Sequence, residues 1–404
     1  MLSKNAIITI GSKFIILFAN FLTVVITTQI LGSEGRGETA LIIANISLIT
    51  ILNSILCGST IAFHTPKQPR DFLLAASLAG AIAFSLLGSL GFSLLFSFRY
   101  FQPLFAISML ISLTNSISMY WLGKNDLYRY NLLTLINPLL ILIFLAFIFF
   151  VLRIRTIEGC LYAYVWGLGT ALIIGIAGLA GKQKIQMPRF DLSGFKEIVI
   201  YGFNNELNYF IQFLNYRLAY FFIARFLGMG QLGVFSIVVS ISEAVWVISK
   251  SMSAVNYSNV INSNDRLSSH RATVVFSRQS FWISLLFLGF GILMPKSVYV
   301  FVFGAEFGNV KIFILYLIPG VIAIAVSNLY GHYFSAIGKL EILRNKSLIG
   351  LGVTLVLLPW VISKYQLTGV CITLNFSYIL SALYLYYRFI MEKKSLIPEQ
   401  SDSE

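Results

Sequence analysis

The chain has 404 residues, of which 57% are hydrophobic and only 11% are Asp, Glu, Lys or Arg. Soluble proteins carry roughly 25% charged residues because their surfaces face water, so this composition excludes a soluble globular protein. The net charge of +13 is dispersed among short connecting segments rather than gathered in one patch, which argues against a nucleic-acid partner.

Long apolar segments recur from one end of the chain to the other. About 20 apolar residues in a helix cross a hydrocarbon core of about 30 Å, and twelve segments approach that length. The sequence therefore predicts an all-α, polytopic membrane protein of about 12 transmembrane helices. We place the segments near residues 5–30, 39–63, 72–98, 103–122, 131–152, 159–181, 198–225, 232–255, 275–294, 311–336, 347–363 and 369–390.

The distribution of Lys and Arg between the segments indicates their orientation. With the N-terminus inside, the cytoplasmic connections hold most of the basic residues, including Lys339, Arg344 and Lys346 between the tenth and eleventh segments. Positive residues accumulate on the cytoplasmic side of membrane proteins. We therefore predict that both termini are cytoplasmic.

The longest polar connection, GKQKIQMPRFDLSGFKE, separates the sixth and seventh segments and divides the twelve into two sets of six. A weak internal repeat supports the division, because Leu31-Gly32 and Gly37 recur as Leu227-Gly228 and Gly233 at one common offset. Lobes with an even number of helices enter the membrane from the same side. We therefore predict parallel repeats related by a pseudo-two-fold axis along the membrane normal, with a substrate path between them. The predicted parts are an N-terminal six-helix lobe at 1–181, a cytoplasmic linker at 182–197, a C-terminal six-helix lobe at 198–390 and a cytoplasmic tail at 391–404.

Five charged side chains fall inside predicted helices, namely Lys13, Glu206, Arg217, Glu243 and Lys250. A charged residue at the middle of a bilayer costs roughly 2.5 to 3.5 kcal/mol on insertion scales, so each needs a compensating environment. The three cations predict a hydrated cavity. A simpler interpretation is that Lys13 and Lys250 reach the cytoplasmic interface by snorkelling, with the two glutamates as structural partners of the cations.

Polar side chains share faces of the first and eighth helices. Lys13, Asn20 and Thr27 recur every seven residues on the first helix, and Glu243 and Lys250 have the same spacing on the eighth, about 10 Å apart along the axis. The seventh helix is too polar to face lipid on all sides, and we predict that it lines the cavity. Its polar residues are Asn204, Asn205, Glu206, Asn208, Gln212, Asn215 and Arg217.

Sequence motifs for catalysis are lacking. There is no nucleotide-binding glycine fingerprint, no P-loop, no H-E-x-x-H and no nucleophile elbow. The three histidines are far apart and the three cysteines fall singly within apolar runs, so neither set predicts a metal site or a disulfide framework. We therefore predict a transporter rather than an enzyme, with no metal and no cofactor. Coupling to a proton or sodium gradient stays open, with Glu206 and Glu243 as the candidate ion-coupling residues.

Three stretches resemble the polysaccharide-exporter branch of the MATE-like multidrug, oligosaccharidyl-lipid and polysaccharide (MOP) flippase superfamily, which includes the O-antigen (Wzx-type) flippases. Each stretch is degenerate, but their order and spacing are fairly specific and the match spans nearly the whole chain. They are the first hairpin ITTQILGSEGRGETALI (Ile26–Ile42), the passage from the seventh to the eighth helix at Leu214–Glu243, and the layout from Pro295 through Phe303–Phe307 to Pro319-Gly320, Gly338-Lys339 and Asn345.

The resemblance implies a flippase of the bacterial inner membrane. Such proteins move an undecaprenyl-pyrophosphate-linked oligosaccharide from the cytoplasmic to the periplasmic leaflet, and we expect alternating access by the two lobes. The resemblance also implies that the protein contacts membrane lipid, and it makes a polysaccharide polymerase and a chain-length regulator candidate partners.

The charged and polar residues of the helices fit such a substrate. Lys13, Arg217 and Lys250 would supply positive charge to the pyrophosphate in a medium of low dielectric constant. Amide groups and an aromatic face would meet the sugar hydroxyls. The residues for this role are Asn20, Asn204, Asn208, Tyr209, Gln212 and Asn215.

Other functions stay open. A cation-coupled multidrug exporter of the same superfamily would favour acidic over basic residues in its cavity. The lipid II flippases are a further relative, but they usually have fourteen helices. A membrane-embedded glycosyltransferase or ligase would need large outer loops with catalytic residues, whereas the longest outer loop here, around Met294–Val310, is short and rather apolar.

Overall fold

A computed structural model describes residues 4–95, 98–179, 192–263 and 265–396. This part of the chain is 92% helix and contains no strand, which is the expected outcome where the backbone must satisfy its own hydrogen bonds in lipid. Short 3₁₀ turns at Phe98–Tyr100 and Ala305–Phe307 and a π-helical turn at Phe147–Val151 connect longer helices. The α-helices are α1 (Lys4–Asn53), α2 (Ser59–His64), α3 (Arg70–Leu95), α4 (Phe101–Gly123), α5 (Leu127–Ala146), α6 (Ile157–Leu179), α7 (Leu192–Phe226), α8 (Met229–Asn262), α9 (Arg266–Leu293), α10 (Lys296–Phe303), α11 (Val310–Ala336) and α12 (Leu340–Leu396).

Two of these helices are each long enough for two membrane crossings. α1 has 50 residues and α12 has 57, so a straight helix of either length would measure about 75 Å or more at 1.5 Å per residue. Non-helical backbone interrupts α1 at Gly32 (φ 69°, ψ −170°) and α12 at Gln366 (φ 48°, ψ −135°). The sequence analysis predicted connections at both places, between its first and second segments and between its eleventh and twelfth.

The number of membrane-spanning helices agrees with the prediction. Within the described ranges, nine helices are long and apolar enough to cross a membrane, and α1 and α12 each count once among them. Their interruptions add two crossings. The 35-residue α7 is long enough for another, although its amides and charges make it less apolar. The prediction of an all-α, twelve-helix membrane protein is therefore confirmed.

The chain divides into two compact units, Met1–Phe210 and Ile211–Glu404. The predicted linker at 182–197 lies mostly outside the described residues, since the described part of α7 begins at Leu192, and the predicted tail lies outside them from residue 397 onward. The lobe boundaries predicted from the sequence stay predictions.

The interior of the first unit contains a polar cluster as well as apolar contacts. Asn53, fully buried at the end of α1, donates hydrogen bonds from Nδ2 to Ser85 Oγ of α3 (2.9 Å) and Ser112 Oγ of α4 (2.6 Å). Hydrogen bonds between small polar side chains hold helices together in lipid, where apolar surface gives no preference for protein over acyl chains. This cluster fixes α1, α3 and α4 to one another.

Glycines of α3 allow close packing in the same unit. A Cβ at Gly80 would lie 2.6 Å from the Leu56 side chain, and one at Gly88 would lie 2.7 Å from Ile49. Larger residues at these positions would push α3 away, so Gly88 sets how closely α3 approaches α1, and Gly80 sets how closely it approaches the segment that follows α1.

The second unit has an aromatic interior. The side chains of Tyr330, Tyr333 and Phe334 on α11 pack with Phe389 on α12, and the His270 ring of α9 stacks on Phe389 at 3.7 Å between centroids. Trp246 Nε1 of α8 donates to the Val321 carbonyl of α11 at 3.0 Å. Helices α8, α9, α11 and α12 therefore share one interior.

The backbone contains an internal repeat that extends the one seen in the sequence. Gly32 (φ 69°, ψ −170°) and Gly228 (φ 85°, ψ 172°) adopt the same left-handed conformation, in which glycine has no steric penalty. Positive φ also recurs between the fourth and fifth helices of each set and between the fifth and sixth. The pairs are Asn125 with Gly338 and Arg153 with Gln366, both 213 residues apart (338 − 125 and 366 − 153).

Candidate functional site

The first half of α7 belongs to the first unit and positions a buried carboxylate there. Gly202 approaches the Ile55 carbonyl so closely that any Cβ would collide with it. One turn further along α7, Glu206 is 7% exposed. Its Oε1 accepts hydrogen bonds from Asn205 Nδ2 (2.9 Å) and from Ser59 Oγ of α2 (3.2 Å).

The partners of Glu206 are neutral. Asn205 Nδ2 also donates to Ser59 Oγ at 2.9 Å, so the three side chains form one network. Among the described residues, no Lys or Arg nitrogen lies within 4.0 Å of this carboxylate. The structure therefore does not support the interpretation of Glu206 as the structural partner of a cation.

The second half of α7 positions Arg217 against α8. Its Nη2 donates to Glu243 Oε2 at 2.9 Å, and its Nη1 lies 2.8 Å from Glu243 Oε1. The guanidinium also lies over the Tyr220 ring, 5.1 Å from the centroid. The charge of Arg217 is thus compensated, and Glu243 is a structural partner of a cation, as one of the two sequence interpretations held.

Polar residues predicted to line a cavity differ in burial along α7. Asn215 is 1% exposed, and its Oδ1 accepts a hydrogen bond from Ser377 Oγ of α12 at 3.1 Å. It also packs against Gly350, so it contributes to the contact between α7 and α12. By contrast Asn204 and Tyr209 are exposed, and Asn208 is half-buried. Gln212 is also half-buried and hydrogen-bonds the Tyr216 side chain one turn away.

The polar face predicted on the first helix is only partly exposed. Lys13 and Asn20 are exposed, whereas Thr27 is buried and its hydroxyl donates to the Thr23 carbonyl at 2.8 Å. A threonine that satisfies its hydroxyl on the preceding turn needs no water. The roles proposed for Lys13 and Asn20 in substrate binding stay predictions.

Lys250 is exposed and interacts electrostatically with two basic residues that the sequence analysis did not connect with it. His332 of α11 and Lys346 of α12 are within electrostatic range of Lys250 and of each other. The sequence analysis assigned Lys346 to a cytoplasmic connection, and the structure places it inside α12, where it is only 4% exposed. The predicted eleventh segment begins at residue 347, seven residues after the start of α12 at Leu340.

These observations give three arrangements in the two units. The first is the network of Glu206 with neutral donors, the second is the ion pair of Arg217 with Glu243, and the third is the group of Lys250, His332 and Lys346. Among the residues that the structure describes, no group of three or more His, Cys, Asp or Glu side chains could hold a metal ion.

No family profile matches the chain, and no curated protein matches it in sequence. Solved structures do match. An inward-facing multidrug resistance transporter of the MATE family has a TM-score of 0.74 at 16% identity, over 96% of this chain and 98% of its own. The lipid II flippase MurJ, in an inward closed conformation, has a TM-score of 0.73 at 15% identity, over 96% of this chain and 90% of its own. An outward-facing MATE transporter has a TM-score of 0.67 at 15% identity, over 96% and 94%.

Similarity at this level of identity shows the fold alone. The chain therefore has the multi-pass membrane fold that these two transporters and the lipid II flippase share, and membership of the superfamily stays an inference from the sequence resemblance. Proteins that carry drugs and a protein that moves a lipid share this fold, so the substrate has to be argued from the residues.

Proposed function

We propose that this chain is a flippase of the bacterial inner membrane with both termini in the cytoplasm. Its substrate would be an undecaprenyl-pyrophosphate-linked oligosaccharide, such as the repeat unit of O-antigen or another surface polysaccharide. Two lobes would expose the substrate alternately to either side. The sequence resemblance supports the substrate class, and the fold shared with a lipid II flippase supports a lipid-linked cargo.

The observation that carries the proposal is the balance of charges inside the helices. Glu243 is neutralised by Arg217, while among the described residues no carboxylate lies within 4.0 Å of the Lys13 or Lys250 amine. Both lysines are exposed, and exposed cations that lack an acidic partner favour an anionic substrate, because opposite charges attract. A pyrophosphate group meets this requirement.

Complementation of a host strain from which the gene has been deleted tests the proposal. We expect the wild-type chain to restore surface polysaccharide, and Lys13→Ala and Lys250→Ala to reduce it at least tenfold with lipid-linked oligosaccharide accumulating in the inner leaflet. The matched control is Lys364→Ala, an exposed lysine near the break in α12, which should behave as wild type. Immunoblots of membrane fractions establish equal expression.

Two outcomes would reject the proposal in different parts. Surface polysaccharide at the wild-type level in both lysine variants would reject the assignment of the site. Unchanged polysaccharide and no accumulated intermediate in the deletion strain would reject the flippase function itself. Association with a polysaccharide polymerase and a chain-length regulator, tested by cross-linking in membranes, belongs to the same proposal.

One observation favours a second candidate, a cation-coupled multidrug exporter. Glu206 is a buried carboxylate whose partners are neutral donors, and such a group could take up a proton or sodium ion. An exporter would raise the inhibitory concentrations of cationic dyes in a strain without its own efflux pumps. A Glu206→Gln variant would abolish that resistance if Glu206 coupled transport to an ion gradient.

A further inference from the structure

A proline followed by a glycine interrupts the hydrogen-bond ladder of α11. Pro319 lies inside this helix, roughly 13 Å along the axis from its start at Val310. Because proline has no N–H group, the carbonyl of Leu315, four residues earlier, lacks its ladder donor. A bend in the helix is therefore expected at this place.

The side chain of Asn375 on α12 contacts the next position of this ladder. Its Oδ1 accepts a hydrogen bond from the Gly320 N–H at 2.7 Å, and its Nδ2 donates to the Tyr316 carbonyl. Gly320 permits the approach, because a Cβ there would lie 2.6 Å from Asn375 Oδ1. The amide thus contacts both atoms that a helical hydrogen bond between residues 316 and 320 would join.

These contacts differ from those of a purely structural repair. A polar side chain that only repaired the ladder would donate to the Leu315 carbonyl, which Pro319 leaves without a donor. The Asn375 amide instead contacts Tyr316 and Gly320, whose carbonyl and N–H can bond to each other when the amide leaves. The backbone of α11 therefore has two alternative hydrogen-bonded arrangements at this turn.

The segments of α11 on either side of Pro319 contact different parts of the second unit. In the first segment (residues 310–318), Lys311 Nζ donates to the Met294 carbonyl at 3.0 Å. The carbonyls of the second segment (residues 320–336) accept hydrogen bonds from side chains of α8 and α9. These bonds are Trp246 Nε1 to Val321 (3.0 Å) and Ser280 Oγ to Ala325 (3.2 Å). The first segment can therefore change its angle while the second stays fixed to α8 and α9.

The corresponding helix of the first unit has no proline at this position. The positive φ at Asn125 and at Gly338 pairs α4 with α11 at an offset of 213 residues (338 − 125). At that offset Ala106 and Ile107 stand where α11 has Pro319 and its glycine (319 − 213 = 106). The interrupted ladder is therefore a feature of the second unit that the repeat does not share.

We propose that Pro319 and Gly320 form a hinge in α11 and that the Asn375 amide is its latch. With the amide bound, the first segment is held at one angle to the second. When the amide leaves, the hydrogen bond between Tyr316 and Gly320 closes and the first segment swings. The use of this swing in transport rests on the proposed function, whereas the hinge itself does not.

The size of the movement follows from helix geometry. Ile312 lies seven residues from Pro319. A swing of about 20°, at the lower end of proline kinks, therefore moves it by about 4 Å. A displacement of this size is measurable between two spin labels.

Double electron–electron resonance on the purified full-length chain tests the hinge. One nitroxide is attached at Ile312→Cys in the first segment, and the second at Val275→Cys of α9 or at Leu348→Cys of α12, all exposed positions. Two reference positions are used because a swing at right angles to one label pair leaves its distance unchanged. The three native cysteines are buried, and the chain without added cysteines controls for their labelling.

Two substitutions remove the latch from opposite sides. Asn375→Leu takes away the amide, and Gly320→Ala excludes it with a methyl group. We expect both to shift at least one mean distance by roughly 2 Å or more, in the same direction. The matched control Asn345→Leu removes an exposed asparagine of α12 and should leave both distances as in the wild type.

Melting temperatures separate a latch from a structural contact. A latch predicts shifted distances in an Asn375→Leu chain that melts close to the wild type, because Tyr316 and Gly320 then bond to each other. An Asn375→Leu chain that melts several degrees lower and keeps the wild-type distances would make the amide structural and overturn the hinge. Unchanged distances in both latch variants would overturn it as well.

Complementation of the deletion strain tests the use of the hinge in transport. At equal expression, we expect Asn375→Leu, which frees the hinge, and Pro319→Ala, which restores the ladder donor, each to reduce surface polysaccharide several-fold. Asn345→Leu should behave as the wild type. Shifted distances with wild-type export in both variants would overturn the role in transport. Shifted distances together with a wild-type chain that fails to complement would reject the flippase function and leave the hinge standing.

Discussion

Neutralising either member of the Arg217–Glu243 pair should destabilise the second unit, and neutralising both should restore much of the loss. Opposite charges 2.8 Å apart attract by about 6 kcal/mol at an effective dielectric constant of about 20. Desolvation offsets part of this, and both side chains are partly exposed, at 23% and 34%. We therefore expect a loss of about 2 to 3 kcal/mol for Arg217→Met or Glu243→Gln, somewhat below the range for a fully buried pair.

Thermal unfolding of the purified chain measures this effect. Trp246 lies one turn from Glu243 and contacts the Tyr216 ring at 5.3 Å, so tryptophan fluorescence reports on the region. The double variant Arg217→Met with Glu243→Gln should be more stable than either single variant, which gives a favourable coupling energy in a double-mutant cycle. A double variant no more stable than the weaker single variant would refute the argument.

The same double variant separates structure from transport. If Arg217 only compensates Glu243, the double variant should restore surface polysaccharide together with stability. If Arg217 also contacts the substrate, the double variant should fold and still export poorly. We expect the first result, because Glu243 already pairs with the Arg217 guanidinium.

Two further stability predictions concern the first unit. Gly202→Val should lower stability by about 1 to 3 kcal/mol, as overpacking does, because its side chain would collide with the Ile55 carbonyl. The control is Gly178→Val, whose Cβ would meet nothing within 4 Å and whose stability should stay within about 0.5 kcal/mol of wild type. Equal melting temperatures for both valine variants would contradict the close approach at Gly202. Asn53→Ala should cost about 1 to 3 kcal/mol because it leaves buried hydroxyls without their donor. Asn20→Ala on the exposed part of α1 is its control, and an equal loss in both asparagine variants would show that the buried cluster adds nothing.

The spans could be predicted from the sequence because a bilayer imposes one length on every crossing helix. Gly32 is an example. The sequence predicted a connection and part of an internal repeat at this position, and the structure shows a positive φ there that interrupts α1. The break at Gln366 fell between two predicted segments as well. Both features depend on local sequence, and for that reason the sequence alone could predict them.

The partners of the charged side chains could not be predicted from the sequence. Arg217 and Glu243 lie 26 positions apart on different helices, and only the register between α7 and α8 brings them together. Asn215 and Asn204 are both amides of α7, yet packing against α12 buries the first and leaves the second exposed. Such outcomes depend on which face of a helix meets its neighbour, and a polar helix has several candidate faces.

The charges on α8 show why a count of cations overstates how many can bind a ligand. Glu243 and Lys250 lie on the same face, about 10 Å apart along the axis. Arg217 of α7 pairs with Glu243. Lys250 instead interacts with two basic residues, His332 of α11 and Lys346 of α12. A ligand anion must compete with a carboxylate already 2.8 Å from Arg217, whereas no described carboxylate competes at Lys250. Phosphate affinity should therefore respond more strongly to loss of Lys250 than to loss of Arg217, and the opposite order in a binding titration would place the anion at the arginine.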